Sequence, residues 1–204
     1  MRLNAPVLHW TPSASTRAVI FDCDGTLADT MPVHHGAWQA MLAEHGMVFG
    51  HEQFYAFAGM PSVRIIERLA LEQAVELAAG QAEAMALDKE HRFVELIGLV
   101  QPIPEVVAVA EHCRGNMPMA VASGGDRWVV ERTLRTIGVY DWMAAIVGAE
   151  DTERHKPEPD VFLEAARRLG VDPSACTVFE DSELGLEAAR RAGMESVDIR
   201  PWRR

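Results

Sequence analysis

Short apolar runs, each stopped by an acidic or glycine-bearing turn, constrain the fold of this chain more than any other feature. Arg17 to Asp22 reads RAVIFD, Met119 to Ser123 reads MAVAS, and Cys176 to Asp181 reads CTVFED. Runs of this length, rich in β-branched and aromatic residues and lacking polar alternation, make strands buried on both faces. Weaker runs at Ala144 to Gly148 and Ser196 to Ile199 extend the set of expected strands. Between them lie helical patterns at Glu105 to Cys113, Trp128 to Ile137, Asp160 to Leu169 and Glu183 to Ala192, several closed by glycine at Gly138, Gly170 and Gly193. Alternating strand and helix predict an α/β fold, a Rossmann-like doubly wound parallel sheet covered by helices.

From about Pro32 to Leu99 the alternation stops. This stretch is rich in Ala, Leu, Glu, Gln and Met and has no convincing strand, so an α-helical insertion is expected over 32–98. It divides core segments 16–31 and 99–204, which follow an N-terminal tail at 1–15. Met31-Pro32 marks the departure, and Pro102 and Pro104 mark the return. A chain of 204 residues suits one domain with such an insertion.

Apolar residues make up 49% of the chain and charged residues 24%, the balance of a soluble globular protein. The net charge of −11 has the wrong sign for nucleic-acid phosphates or anionic lipid. An anionic substrate must then be held by local cations, bound metal or backbone N–H groups. Cys23, Cys113 and Cys176 are odd in number and far apart, which argues against a disulfide or zinc framework. The first 15 residues lack the apolar stretch of a signal peptide, and no apolar run approaches the ~18 residues of a membrane span. A cytoplasmic protein is expected, with no membrane, nucleic-acid or obligate protein partner.

In a doubly wound sheet, ligands bind beyond the carboxyl ends of the strands. The residues there are Asp22, Asp24, Gly25 and Thr26 after the first run, Ser123 and Gly124 after the second, Lys156-Pro157 further on, and Glu180-Asp181 after CTVF. Two carboxylates as close as Asp22 and Asp24 repel unless a cation joins them or one is protonated. Mg²⁺ takes hard oxygen ligands, and Asp181 would complete a site with the first pair. Asp22 could then attack phosphorus, and a protonated Asp24 could supply the leaving oxygen with a proton. Lys156, the Ser123 hydroxyl and the Gly124 amide would stabilise the transferring phosphoryl group.

The ordered set FDCDGT, a strand-ending Ser, KPEPD, and EDS followed by Gly185 resembles the haloacid-dehalogenase-like (HAD) hydrolase superfamily over nearly the whole chain. That resemblance implies Asp22 as nucleophile and Asp24 as general acid/base. It implies Mg²⁺ held by Asp22, the Asp24 carbonyl and Asp181, with Glu180 supporting these ligands from behind. The helical insertion resembles the family's small cap, which closes over the site. The second aspartate favours phosphoryl transfer over dehalogenation. DGTLADTMPVHHGAW, AGMPSVRI and KPEPDVF are most similar to the β-phosphoglucomutase-like, fructose-1-phosphate-phosphatase-like branch, so a small phosphorylated metabolite is the expected partner. Gly125, Arg127 and Thr26 depart from the pattern expected of a mutase.

Each residue also has a plainer reading. Asp22, Asp24, Ser123, Glu180 and Asp181 could cap turns or helices, and Lys156 could be solvated. His34 and His35 lie within reach of a substrate or are partly exposed helix residues, and Arg64 is a candidate for sugar hydroxyls or for a surface ion pair. Alternation turns Cys23 away from the two aspartates into the core. A Mg²⁺-dependent sugar-phosphate phosphatase is the expected activity. A phosphomutase is the alternative, and a non-catalytic binding protein on the same fold is the remote one.

Overall fold

The computed structural model describes residues 10–57 and 60–202. In chain order the elements are β1 (Ala18–Phe21), β2 (Ala28–Asp29), α1 (Met31–Glu44), α2 (His51–Ala56), α3 (Ser62–Glu72) and α4 (Gln81–Glu95). They continue with β3 (Gln101–Pro102), α5 (Pro104–Cys113), β4 (Met119–Ala122), α6 (Arg127–Thr136), β5 (Ala145–Val147) and α7 (Asp160–Leu169). The chain closes with β6 (Cys176–Glu180), α8 (Glu183–Arg191) and β7 (Glu195–Asp198).

The expected strands form one parallel five-stranded sheet in the order β5-β4-β1-β6-β7. Its three middle strands are buried along their whole length, which is why they read as continuous apolar runs. One face packs Val19, Phe21, Val121 and Phe179 against α5 and α6, and the other packs Ile20, Ala120, Ala122 and Val178 against α7 and α8. Phe21 and Phe179, in register on β1 and β6, pack with their rings tilted and their centroids 5.2 Å apart. Helix α7 shows how local chemistry and packing agree: Val161, Phe162, Ala165 and Ala166 fill its buried stripe, and Gly170 ends it at φ 68°, a conformation that costs glycine little.

Helices α1 to α4 carry their own apolar cluster, including Met41, Leu42, Ile66 and Leu69. The antiparallel β2·β3 pair, Ala28 opposite Pro102 and Asp29 opposite Gln101, ties the departing and returning strands of this segment together. It has no counterpart in the sequence reading, because two-residue strands have no periodicity. Residues 1–9 of the expected tail lie outside the described residues, whereas Trp10 packs edge-on against Phe179 at 5.2 Å and so belongs with the core. Among the described residues no helix is long and apolar enough to cross a membrane.

Candidate active site

The parallel register brings the ends of β1, β4 and β6 side by side, and with them the polar residues that follow each strand. Asp22, Asp24, Ser123, Gly124, Lys156, Glu180 and Asp181 all border one pocket between the sheet and the helical segment. Lys156 is its electrostatic centre. Its Nζ donates to Asp22 Oδ1 and to Glu180 Oε2, both at 2.7 Å, and to the Ala122 carbonyl at 3.4 Å. Burial opposes its charge, but Asp22 and Glu180 outweigh burial and keep the ammonium firmly protonated.

Asp22 is buried, and its carboxyl is driven well above the usual range. Burial is the main cause and Glu180 adds to it, against the pull of Lys156. Asp24 goes the other way. Burial would raise it, but the hydrogen bond from His34 Nε2 at 3.3 Å and the imidazole's charge hold it at about 2. The protonated Asp24 anticipated from the sequence is therefore a carboxylate at neutral pH when no substrate is bound, because His34 stands beside it. His34 stacks on Phe93 with ring centroids 3.8 Å apart, which fixes the imidazole in place. Ser123 is buried; its hydroxyl donates to Asp24 Oδ2 at 3.4 Å and accepts from the Gly125 amide.

Four carboxylates, Asp22, Asp24, Glu180 and Asp181, face one lysine, so the site lacks positive charge. Oxygens of Asp22, Glu180 and Asp181 lie within 4.8 Å of one another. A hard divalent cation fits this donor set and its charge deficit. Glu180 is the least available of the three: Oε2 is held by Lys156, and Oε1 accepts from the Asp181 amide and from the Ser182 amide and hydroxyl at 2.9–3.0 Å. Its position supports the lysine and the start of α8. Thr26 donates to Asp181 Oδ1 at 3.4 Å, a contact its place in the loop did not disclose.

Other candidates do not join this group. The Arg64 side chain is 73% exposed and pairs with Glu67 at 3.0 Å, outside the pocket lining. Helix α3 buries Ile65, Ile66, Leu69 and Ala70, and Arg64 lies off that stripe. Arg64→Ala is accordingly expected to change kcat/KM for any sugar phosphate by less than about twofold and stability by less than about 0.5 kcal/mol. A selective loss toward one sugar ester would restore a substrate-reading role. His35 packs against Phe54 and His51 rather than lining the pocket. Cys23 is fully buried in the core cluster, and burial raises its thiol pKa, as expected of an inert packing residue.

Two charged pocket residues were not foreseen from the sequence. Lys89 and Glu90 on α4 are buried and pair at 2.8 Å. Their signal was positional: the apolar stripe of α4 runs through Ala82, Met85, Ala86 and Phe93, and the same helical spacing passes through 89 and 90. Charged residues on a buried stripe mark a cavity or a partner.

Comparison with known proteins identifies the family of the chain. A model of the haloacid dehalogenase-like hydrolases matches residues 16–193. Fructose-1-phosphate phosphatase YqaB of Escherichia coli is 37% identical over 185 residues, covering 89% of this chain and 95% of that protein. β-Phosphoglucomutase of Bacillus subtilis is 29% identical, covering 90% and 83%. Among solved structures, CbbY from Rhodobacter sphaeroides in complex with xylulose-(1,5)bisphosphate superposes with a TM-score of 0.81 at 26% identity, covering 89% of this chain and 84% of that one. With its motifs gathered at the ends of three adjacent parallel strands, the chain belongs to the haloacid dehalogenase-like hydrolases, as one of their phosphoric monoester hydrolases.

Proposed function

We propose that the protein is a Mg²⁺-dependent phosphatase of small sugar or polyol monophosphates, fructose 1-phosphate or a close relative, working through an aspartyl-phosphate on Asp22. The observation that carries this reading is the pairing of two unlike carboxylates. Asp22 is held by Lys156 at 2.7 Å, while Asp24 is turned toward His34 and Ser123. Similarity to YqaB supports the choice of sugar ester.

The chemistry follows from these positions. An Asp22 oxygen attacks phosphorus, and the bond from phosphorus to the sugar oxygen breaks. Lys156, the Ser123 hydroxyl and the Gly124 amide stabilise charge on the phosphoryl oxygens. A phosphate group seated beside Asp24 adds negative charge there and raises its proton affinity. Protonation of Asp24 is thereby coupled to substrate binding, and Asp24 can give its proton to the departing alkoxide. It then takes one from the water that cleaves the aspartyl-phosphate. Asp22, Asp181 and the Asp24 carbonyl would hold Mg²⁺, which supplies the positive charge that Lys156 alone does not. Helices α1 to α4 act as a cap that excludes bulk water.

The test is phosphate release from a panel of sugar, polyol and glycolate phosphates with and without Mg²⁺, with sugar-phosphate isomers followed in the same samples. Metal-dependent phosphate release, with fructose 1-phosphate among the better substrates, is expected. Isomer conversion with little free phosphate would make the protein a mutase, and no turnover of either kind would point to binding alone.

A further inference from the structure

Resting on the phosphatase reading, we infer that Glu90, with Lys89 and Ser62, forms the part of the pocket that selects the leaving group, accepting hydroxyls and turning away a second phosphate. Both charged residues lie on α4, which packs against α1 and α3. They border the same cavity as Asp22, Asp24 and Ser123, so a molecule with its phosphate on the sheet side presents its other end to them.

The charges at that end cancel. Glu90 Oε1 takes the Lys89 ammonium at 2.8 Å and the Ser62 hydroxyl at 3.3 Å. The side chains are only 5% and 10% exposed, so bulk water does little to screen the pair. Asp126 adds a further acid on this side, its carboxyl raised first by burial and then by the nearby Glu90. The other nearby lysine is committed to the reaction centre, Lys156 to Asp22 and Glu180, and the His34 imidazole is turned to Asp24. A second phosphate arriving here would meet a lysine already neutralised by Glu90.

A hydroxylated carbon chain meets a different surface. Among the described residues no donor reaches Glu90 Oε2, which leaves that oxygen to accept from a sugar hydroxyl. Trp38, Phe54, Phe57 and Ile65 supply an apolar wall for the carbon face. An acid that hydrogen-bonds hydroxyls while repelling phosphate favours monophosphates of neutral polyols. The same feature disfavours a mutase, since moving a phosphoryl group between two positions of one sugar passes through a bisphosphate that must be retained.

The test uses the whole purified protein with Mg²⁺ and compares kcat/KM for fructose 1-phosphate and fructose 1,6-bisphosphate, with p-nitrophenyl phosphate as an independent check on phosphatase activity. The wild type is expected to favour the monophosphate by about 100-fold or more, two charge-dependent contacts' worth of discrimination. Glu90→Gln keeps the shape but leaves Lys89 free to pair with phosphate, and should narrow that ratio by about tenfold or more, chiefly through a lower KM for the bisphosphate. Adding Lys89→Met to Glu90→Gln should remove that gain. A wild type that takes both esters equally overturns the inference without recourse to any variant. So does an unchanged ratio in a folded Glu90→Gln protein, or a gain that survives loss of Lys89. A wild type inactive on all three esters would instead remove the phosphatase reading, and this inference with it.

Discussion

Asp22→Asn is expected to abolish turnover, by on the order of 10⁴-fold or more, and at the same time to make the protein more stable at neutral pH. An amide cannot form the aspartyl-phosphate, so the chemical loss follows from the nucleophile's role. The stability gain follows from its surroundings. Burial, then the charge of Glu180, raises the Asp22 carboxyl above its ordinary 3.8 despite Lys156. A carboxyl raised by folding favours the folded state below its unfolded pKa, and this contribution is lost as pH rises through the folded pKa. Above its unfolded pKa the buried carboxyl therefore costs the folded state stability that asparagine does not lose, while Glu180 still holds Lys156. A gain of about 1 kcal/mol, or 2–4 °C in Tm, is expected in chelator at pH 7, and it should vanish near pH 3.5. Asp24 has the opposite sign: held at about 2 by His34, it stabilises above 3.8 and loses that contribution as pH falls toward 2. Thermal melts of both proteins at the two pH values, with phosphate release, check each half. Near-normal turnover would remove Asp22 as nucleophile, and a lower Tm at pH 7 would mean that its attraction to Lys156 outweighs its burial.

Gly185→Ala should damage the site from a position that touches no substrate. A Cβ at 185 would overlap the Glu180 carboxylate. That carboxylate cannot swing aside cheaply, because Oε1 accepts from Asp181 and Ser182 and Oε2 holds Lys156. Either Glu180 releases Lys156, or the first turn of α8, capped by Ser182 onto the Gly185 amide, shifts outward. The expected cost is about 3 kcal/mol of stability, from overpacking and a weakened buried ion pair, with a loss of about 100-fold or more in kcat/KM as Lys156 moves off Asp22. Denaturant unfolding and phosphate release measure the two effects. Adding Glu180→Asp, one methylene shorter, should restore part of both, whereas full activity in Gly185→Ala alone would show that Lys156 does not depend on Glu180.

The sheet was legible in the sequence because strands buried on both faces leave uninterrupted apolar runs, and the helix ends were legible because Gly138, Gly170 and Gly193 adopt the left-handed backbone that closes a helix. The sheet-side site was legible for a related reason: in parallel topology the residues after each strand must meet, so Asp22, Ser123 and Asp181 could be grouped without knowing any distance. Prolines punctuated both ends of the helical segment, but the β2·β3 pair that joins those ends gave no such sign, since it links residues far apart in sequence through two positions each.

The apolar runs and the polar residues that end them by themselves determined the α/β sheet and the grouping of Asp22, Asp24, Ser123 and Asp181 at one edge of it, through local patterns that any buried parallel strand must show. Only the tertiary structure decided the opposite shifts of the Asp22 and Asp24 carboxyls, the exposure of Arg64 and the placing of Lys89 and Glu90 against the site. Those properties come from the burial and charge that distant segments impose on one another, and no single stretch of sequence contains them.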